Sequence, residues 1–271
     1  MRRRDRSGVA LALALLLGLS CSTVPITGRR QFNMIPAETM LSMSFQQYGA
    51  FMDSSAVSQN ANQTAMVKRA GLRIQLAVEE YFAQHKMTDQ LEGYAWEFNL
   101  IESDEVNAWC MPGGKVVVYA GLMKLVGGET ELAVVMGHEI AHAVAEHGGE
   151  RMSQGLLTQF GGMALTVALE DKPAETQQLW MTAFGLGAQV GVLLPYSRLH
   201  EAEADRLGLI FMAMAGYDPN AALTFWQKMA AQGSGASVPE FISTHPSDET
   251  RIRKIQELMP EALGYYKPVK G

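Results

Sequence analysis

Two histidines near the middle of the chain have the spacing of metal ligands. They lie four residues apart in the run His138-Glu139-Ile140-Ala141-His142. On a helix, residues at this spacing share one face, so both imidazoles can bind the same metal ion. Glu139, beside the first histidine, is placed to accept a proton from water and to return it to the leaving amine of a peptide. The pattern predicts hydrolysis of peptide bonds with zinc as cofactor.

Two histidines do not complete such a site, because catalytic zinc usually has three protein ligands. One class of metallopeptidase has a third histidine six residues beyond the second, but here that position is Gly148. His147 would lie about 140° around the helix from His142. We therefore expect His147 to be a partly exposed residue at the helix end and not a ligand.

A carboxylate further along the chain is the better third ligand. Glu201 and Asp205 are four residues apart in a segment with helical spacing, so they share a face, and Glu203 and His200 point away from it. Glu201 would complete a His-His-Glu site. Asp205, one turn on, is placed to accept the far N–H of a ligand histidine and so fix its orientation. The alternative is that both carboxylates are solvated on a surface helix.

The elements that position these residues indicate an α+β fold. Apolar alternation predicts strands over 94–102 and 115–119 and a further short strand over 106–109, with a turn at 112–114. This gives a three- to four-stranded sheet ahead of the active-site helix. Apolar residues at spacings of three and four predict helices in the remainder, over 37–52, 62–85, 129–147, 154–170, 176–194, 198–215, 219–232 and 247–258.

The first twenty residues differ from the rest. Four arginines precede an apolar run over 9–19 that is too short to span a bilayer and has the length of a signal-peptide core. Residues 1–20 are therefore predicted to be a signal peptide. Ser20-Cys21 follows directly and resembles a bacterial lipoprotein signal, so we expect a lipid on Cys21, with 21–36 as a tether. The alternative is a secreted protein in which this cysteine occurs by chance.

Composition excludes several classes of protein. Of 271 residues, 48% are hydrophobic and 18% are charged, which excludes a long disordered chain. The formal net charge is −6 and the body of the chain has no basic stretch, so a nucleic-acid partner is not expected. Cys21 and Cys110 are too few for a disulfide framework, and Cys110 is expected to be a small buried thiol. No change in composition divides 37–271, which predicts a single domain.

The motifs together resemble a known family. Gly137 to His142, with Ser197-Arg198-x-x-Glu201-x-x-Ala204-Asp205, resembles the HtpX-like zinc metallopeptidases. That family includes the CAAX prenyl proteases, a mitochondrial inner-membrane quality-control protease and periplasmic lipoproteins of the BepA and LoiP kind. The resemblance implies a zincin-like (gluzincin) peptidase domain. It also implies one zinc ion held by His138, His142 and Glu201, with Glu139 as the catalytic base.

Two further motifs belong to this resemblance. Thr244-His245-Pro246 implies a histidine near the metal, which would stabilise the oxyanion or fill the fourth zinc position; the alternative is a histidine in a turn. Arg251 would face the same site. Asn107 and Ala108 resemble the edge strand that receives substrate as an added β-strand, which would suit unfolded segments of varied sequence.

These observations predict a zinc-dependent endopeptidase that cuts misfolded or damaged proteins. It would be a periplasm-facing lipoprotein of the bacterial envelope, held at the outer membrane through Cys21, and without the TPR array of the BepA arrangement. The alternative is a chaperone-like or binding module that retains zinc with little turnover, but the base Glu139 favours an enzyme. The apolar segments 154–170 and 176–194 are expected to form a soluble hairpin, with membrane contact as the alternative.

Overall fold

A computed structural model describes residues 21–24, 27–189, 193–232, 240–245 and 249–268. The predicted signal peptide lies outside these residues. The described part is mostly helical with one three-stranded sheet and one two-stranded ribbon, which confirms the predicted α+β class. By its internal contacts the chain divides into two compact units, residues 1–37 with 148–195, and residues 38–147 with 196–271. The predicted limits of signal peptide, tether and domain stay predictions.

The larger unit contains the sheet and most of the helices. Strands β3 (Glu97–Ile101), β4 (Ala108–Met111) and β5 (Lys115–Tyr119) form the sheet in the order β3-β5-β4, with β3 parallel and β4 antiparallel to β5. Its helices, in chain order, are α1 (Ala37–Ser54), α2 (Ala61–Gln84), α3 (Ala120–Met123) and α4 (Glu129–Val144). It also contains α7 (Leu194–Met214), α8 (Ala221–Gln232), α9 (Glu240–Thr244) and α10 (Glu249–Gly264). The first residue of α1 and the first two residues of α7 belong to the smaller unit.

The turn between β4 and β5 is built from two glycines. Gly113 and Gly114 have φ angles of 87° and 80°, which glycine adopts without the steric cost of a Cβ. The rings of Phe45 and Trp96 pack where those Cβ atoms would be. The predicted turn at 112–114 therefore forms and connects the strand that leads into the active-site helix with the edge strand β4.

Helix α4 lies in the core of this unit. Every residue from Leu132 to Val144 is buried, and the helix packs on α2, β4 and α8. Charged or polar groups buried at such a position need partners, because desolvation without them costs several kcal/mol. The sequence predicts that this helix extends to His147. The helix instead ends at Val144, because Glu146 has a positive φ of 58° that turns the chain.

The smaller unit consists of helices α5 (His147–Ala168) and α6 (Ala174–Ala188) with the ribbon of β1 (Cys21–Thr23) and β2 (Arg30–Phe32). The ribbon lies within the segment predicted to be a tether, and the sequence interpretation did not anticipate its pairing. Arg29 binds the fully buried carboxylate of Glu150 at 2.7 Å, and the N–H of Phe32 donates to the same carboxylate at 3.2 Å. These bonds fasten the ribbon to the first turns of α5.

Candidate metal centre

Helix α4 presents the two predicted ligand histidines side by side. His138 and His142 are both buried, and their Nε2 atoms lie 3.1 Å apart. Glu139, which follows the first histidine, is buried as well, and its Oε1 lies 3.4 Å from Nε2 of His245. The one-turn spacing read from the sequence therefore brings the imidazoles together as expected.

A close approach of two helices brings the carboxylates to these histidines. A Cβ on Gly208 of α7 would lie 2.9 Å from the backbone nitrogen of His138, and a Cβ on Gly137 would lie 3.0 Å from the carbonyl oxygen of Gly208. Only glycine at both positions allows the backbones of α4 and α7 to come this close. The contact places Glu201 and Asp205, on the preceding turns of α7, against His138.

Four side chains converge on one point. The carboxylate of Glu201 contacts Nε2 of His138 and Nε2 of His142, each at 3.3 Å. Nδ1 of His245 lies 2.9 Å from Oε2 of Glu201 and 3.2 Å from Nε2 of His138. One ligand atom from each of the four residues lies within 4.8 Å of the others. His138, His142 and Glu201 are thus brought together as predicted, and His245 joins them.

Asp205 contacts Nδ1 of His138, and Arg251 in turn binds Asp205. Oδ1 of Asp205 lies 3.1 Å from Nδ1 of His138, as expected for the acceptor of its far N–H. The guanidinium of Arg251 donates twice to Asp205, at 2.9 and 2.8 Å, and lies 3.6 Å above the ring of Trp226. It also donates to the carbonyl oxygen of His245 at 3.1 Å. Arg251, a minor element of the sequence interpretation, therefore links three residues of the site.

The electrostatics of the cluster favour a cation. Burial by itself raises the pKa of Glu201, but its contacts with His138, His142 and His245 outweigh this effect and hold this pKa far below its usual range. Burial likewise opposes the charged form of His138, yet hydrogen bonds to Asp205 and Glu201 raise its pKa to about 9. Without a metal, the carboxylates thus attract a proton to the position where a metal cation would bind.

His147 differs from its sequence interpretation. The sequence predicts a partly exposed residue, but its side chain is fully buried. The reason is the turn at Glu146, which brings the ring back over α4 so that Nδ1 of His147 lies 2.9 Å from Nδ1 of His142. Glu203 points away from the cluster, as predicted, but reaches His147 at 3.0 Å, and His200 stacks on the same ring at 4.3 Å.

The predicted substrate strand lies beside the site. Ala108 begins β4, an edge strand that packs against α4, and Oδ1 of Asn107 accepts from the N–H of Ala108 at 2.9 Å. The N–H of Phe241 donates to the carbonyl oxygen of Val106 at 3.1 Å, which ties the helix that precedes His245 to this strand. No contact here tests substrate binding by Asn107 or Ala108, which stays a prediction.

The two cysteines lie in different units. Cys110, on β4, is partly buried, and burial together with the charge of Glu139 raises the pKa of its thiol. Cys21 begins β1, and only its backbone is described. Its lipidation stays a prediction.

Several residues of the site were not found from the sequence. Trp226 stacks on Phe241 and lies against His138, and Gly208 sets the helix approach. Neither has a spacing that points to a metal.

Comparisons with known proteins agree with this geometry. The model of Peptidase family M48 matches residues 68–259. The mitochondrial metalloendopeptidase OMA1 of Schizosaccharomyces pombe is 35% identical over 88% of this chain and 66% of its own length, and that of Homo sapiens is 32% identical over 88% and 46%. The beta-barrel assembly-enhancing protease of Escherichia coli is 32% identical over 58% of this chain and 33% of its own. The chain thus spans between a third and two thirds of these relatives' lengths. The matches confirm the predicted enzyme class, a metallopeptidase.

Proposed function

The chain belongs to peptidase family M48, and from this membership and the geometry of the metal centre we propose that it is a zinc-dependent endopeptidase of the bacterial cell envelope. The observation that carries the proposal is the convergence of His138, His142 and Glu201. The substrates we propose are misfolded or damaged envelope proteins.

The donor set and its spacing support zinc. A tetrahedral ion with bonds of about 2.0–2.1 Å has its ligand atoms about 3.3–3.4 Å apart. The contacts among the two Nε2 atoms and the Glu201 carboxylate are 3.1–3.3 Å. Two imidazoles and one carboxylate are a ligand set that catalytic zinc uses, leaving a fourth position for water or substrate.

Glu139 is the residue we assign to proton transfer. A zinc ion bound here would lower the pKa of water and polarise the scissile carbonyl. Glu139 is buried beside the ligands, with its Oε1 3.4 Å from Nε2 of His245, and from this position its carboxylate could take the proton of the attacking water. It can then donate that proton to the leaving amine, which completes the hydrolysis.

His245 is suited to two roles at the fourth position. Its Nδ1 lies within the ligand cluster, so in the resting protein it would occupy the place that substrate must take. Its backbone is held by Arg251, while its ring stands next to Glu139. On displacement, the same imidazole could donate to the oxyanion that forms on the substrate carbonyl.

Degradation of casein with and without a chelator tests the activity. The wild-type protein should release peptides from casein, 1,10-phenanthroline should abolish the release, and added zinc should restore it. Mapping of internal cleavage sites would identify an endopeptidase. Binding of casein without any cleavage in the zinc-loaded protein would contradict the proposal and favour the chaperone-like alternative.

The proposed location rests on the N-terminal sequence, since the relatives include both mitochondrial and bacterial proteins. Among the described residues no helix is long and apolar enough to cross a membrane. The anchor we propose, from the sequence Ser20-Cys21, is a lipid on Cys21. In a bacterial host, Cys21→Ser should move the protein from the membrane to the soluble periplasmic fraction, while the matched control Cys110→Ser should stay with the membrane. Unchanged membrane association of Cys21→Ser would contradict this anchor.

A further inference from the structure

A chain of buried polar side chains continues behind the second ligand histidine. Nδ1 of His142 contacts Nδ1 of His147 at 2.9 Å, and Nε2 of His147 contacts Oε2 of Glu203 at 3.0 Å. All three side chains are at most 6% exposed. The ring of His200 lies parallel to that of His147, at 4.3 Å and 17°, and fixes its plane.

The protons along this chain follow from its last member. A carboxylate can only accept, so Nε2 of His147 must carry the hydrogen that is donated to Glu203. Nδ1 of a neutral His147 is then an acceptor, and Nδ1 of His142 must donate to it. This leaves Nε2 of His142 with its lone pair, directed at Glu201 and His138. If the hydrogens of His142 and His147 were on their other ring nitrogens, Nε2 of His142, the atom that is to bind the metal, would carry a hydrogen.

We infer that His147 and Glu203 are positioning residues that hold His142 in its metal-binding tautomer and orientation. The inference rests on the proposed function, since it concerns the ligands of the proposed zinc ion. The arrangement behind His142 differs from that behind His138, whose Nδ1 is held directly by the carboxylate of Asp205. Both ligand histidines thus have an acceptor behind them, one charged and one neutral.

The neutral acceptor has an electrostatic consequence. Glu139 and Asp205 are buried and Glu201 is mostly buried around the metal position, and Arg251 contacts both Glu201 and Asp205. A carboxylate in direct contact with His142 would add a further buried charge beside them, which is costly. The imidazole of His147 instead places the charge of Glu203 one ring further away.

Zinc affinity of substituted proteins tests the inference. The dissociation constant of zinc, measured by chelator competition, should rise about 10–100-fold in His147→Leu, the range seen when residues behind metal ligands are removed. His147→Gln should recover most of this loss, because its amide oxygen can accept and its amide nitrogen can donate. Lys115→Met is the matched control. It removes a buried, hydrogen-bonded group that contacts Glu97 and should lower thermal stability without changing zinc affinity.

A spectroscopic measurement keeps the test independent of how the variants fold. In the zinc-loaded wild-type protein, nitrogen-15 NMR should show the hydrogen on Nδ1 of His142 and on Nε2 of His147. The reverse tautomer of His147 would overturn the inference, as would wild-type zinc affinity in His147→Leu or failure of His147→Gln to recover binding. These results would leave casein cleavage by the wild-type protein intact, whereas a wild-type protein that binds no zinc would overturn the proposed function together with the inference.

Discussion

Helices α4 and α6 are both apolar and glycine-containing, yet they behave in opposite ways. Every residue of α4 from Leu132 to Val144 is buried, whereas no residue of α6 is buried and Leu179 and Leu186 are more than 60% exposed. The surroundings of the glycines also differ between the two helices. Gly137 lies against the backbone of α7, while a Cβ on Gly185 or Gly187 of α6 would contact nothing within 4 Å.

The comparison shows that apolar composition alone does not specify a functional core. In α4, close packing of backbones buries His138, Glu139 and His142, and His138 has partners from both α7 and α10. Helix α6 buries no polar group, so its side chains impose no comparable demand on geometry. Substitutions in the two helices should therefore affect different properties.

The largest expected effect is the fall in the rate of casein cleavage when Glu139 is replaced. Glu139→Gln should lower the rate of casein cleavage by about 10²–10⁴-fold, because the amide cannot accept the proton of water. Zinc content and melting temperature should stay at the wild-type values, since Glu139 is not assigned as a ligand. Leu179→Gln on the exposed face of α6 is the control and should cleave at the wild-type rate. Substantial cleavage by Glu139→Gln would remove it from the role of base.

The next largest effect on turnover is expected when His245 is replaced. His245→Ala should reduce turnover by a factor on the order of 10²–10³, the usual cost of losing an oxyanion donor. A residue that only blocks the fourth position would give the opposite sign, a higher basal rate. Initial rates on an unfolded substrate, normalised to zinc content, decide between these. Wild-type rate and zinc content in the variant would leave His245 without either role.

A smaller effect is expected where α4 meets α7. Gly208→Ala would place a methyl group 2.9 Å from the backbone nitrogen of His138, so the helices must separate. The free energy of unfolding should fall by about 1–3 kcal/mol, the usual cost of overpacking. Zinc affinity should fall as well, because Glu201 moves with α7. Chemical denaturation and chelator competition measure the two effects, and an unchanged zinc affinity would argue against the glycine contact as the device that sets ligand spacing.

The smallest effect has the opposite sign. Gly155 lies within α5, and a Cβ there would contact nothing within 4 Å. Gly155→Ala should therefore raise the free energy of unfolding by about 0.5–1 kcal/mol, since alanine loses less conformational freedom in a helix. The same denaturation experiment applies. Equal destabilisation by Gly155→Ala and Gly208→Ala would remove the distinction between the two regions.

The sequence was most informative where a single local rule decides the structure. The segment 115–119, with three β-branched valines, forms β5 with the predicted limits, and the four-residue spacing places His138 beside His142 on one face of α4. These features depend only on strand alternation and helical periodicity. Both are set by neighbouring residues, so they can be read without knowing the fold.

Features that depend on the tertiary structure were missed. The burial of His147 results from a positive φ at Glu146, a residue type that gives no such signal. The parallel pairing of β3 with β5 and the ribbon between Cys21–Thr23 and Arg30–Phe32 join segments whose partners periodicity cannot identify. The position of Arg251 over Trp226 likewise follows from the packing of α10 on α8.

The most direct test of the metal centre is the zinc content of three purified proteins, the wild type, Glu139→Gln and Glu201→Ala. The geometry predicts one zinc ion per chain in the first two, because the ligand cluster consists of His138, His142, Glu201 and His245, and Glu139 is assigned to proton transfer. Glu201→Ala should lose the ion, because its carboxylate contacts the Nε2 atoms of both histidines. Full zinc retention in Glu201→Ala, or its loss in Glu139→Gln, would contradict the assignment.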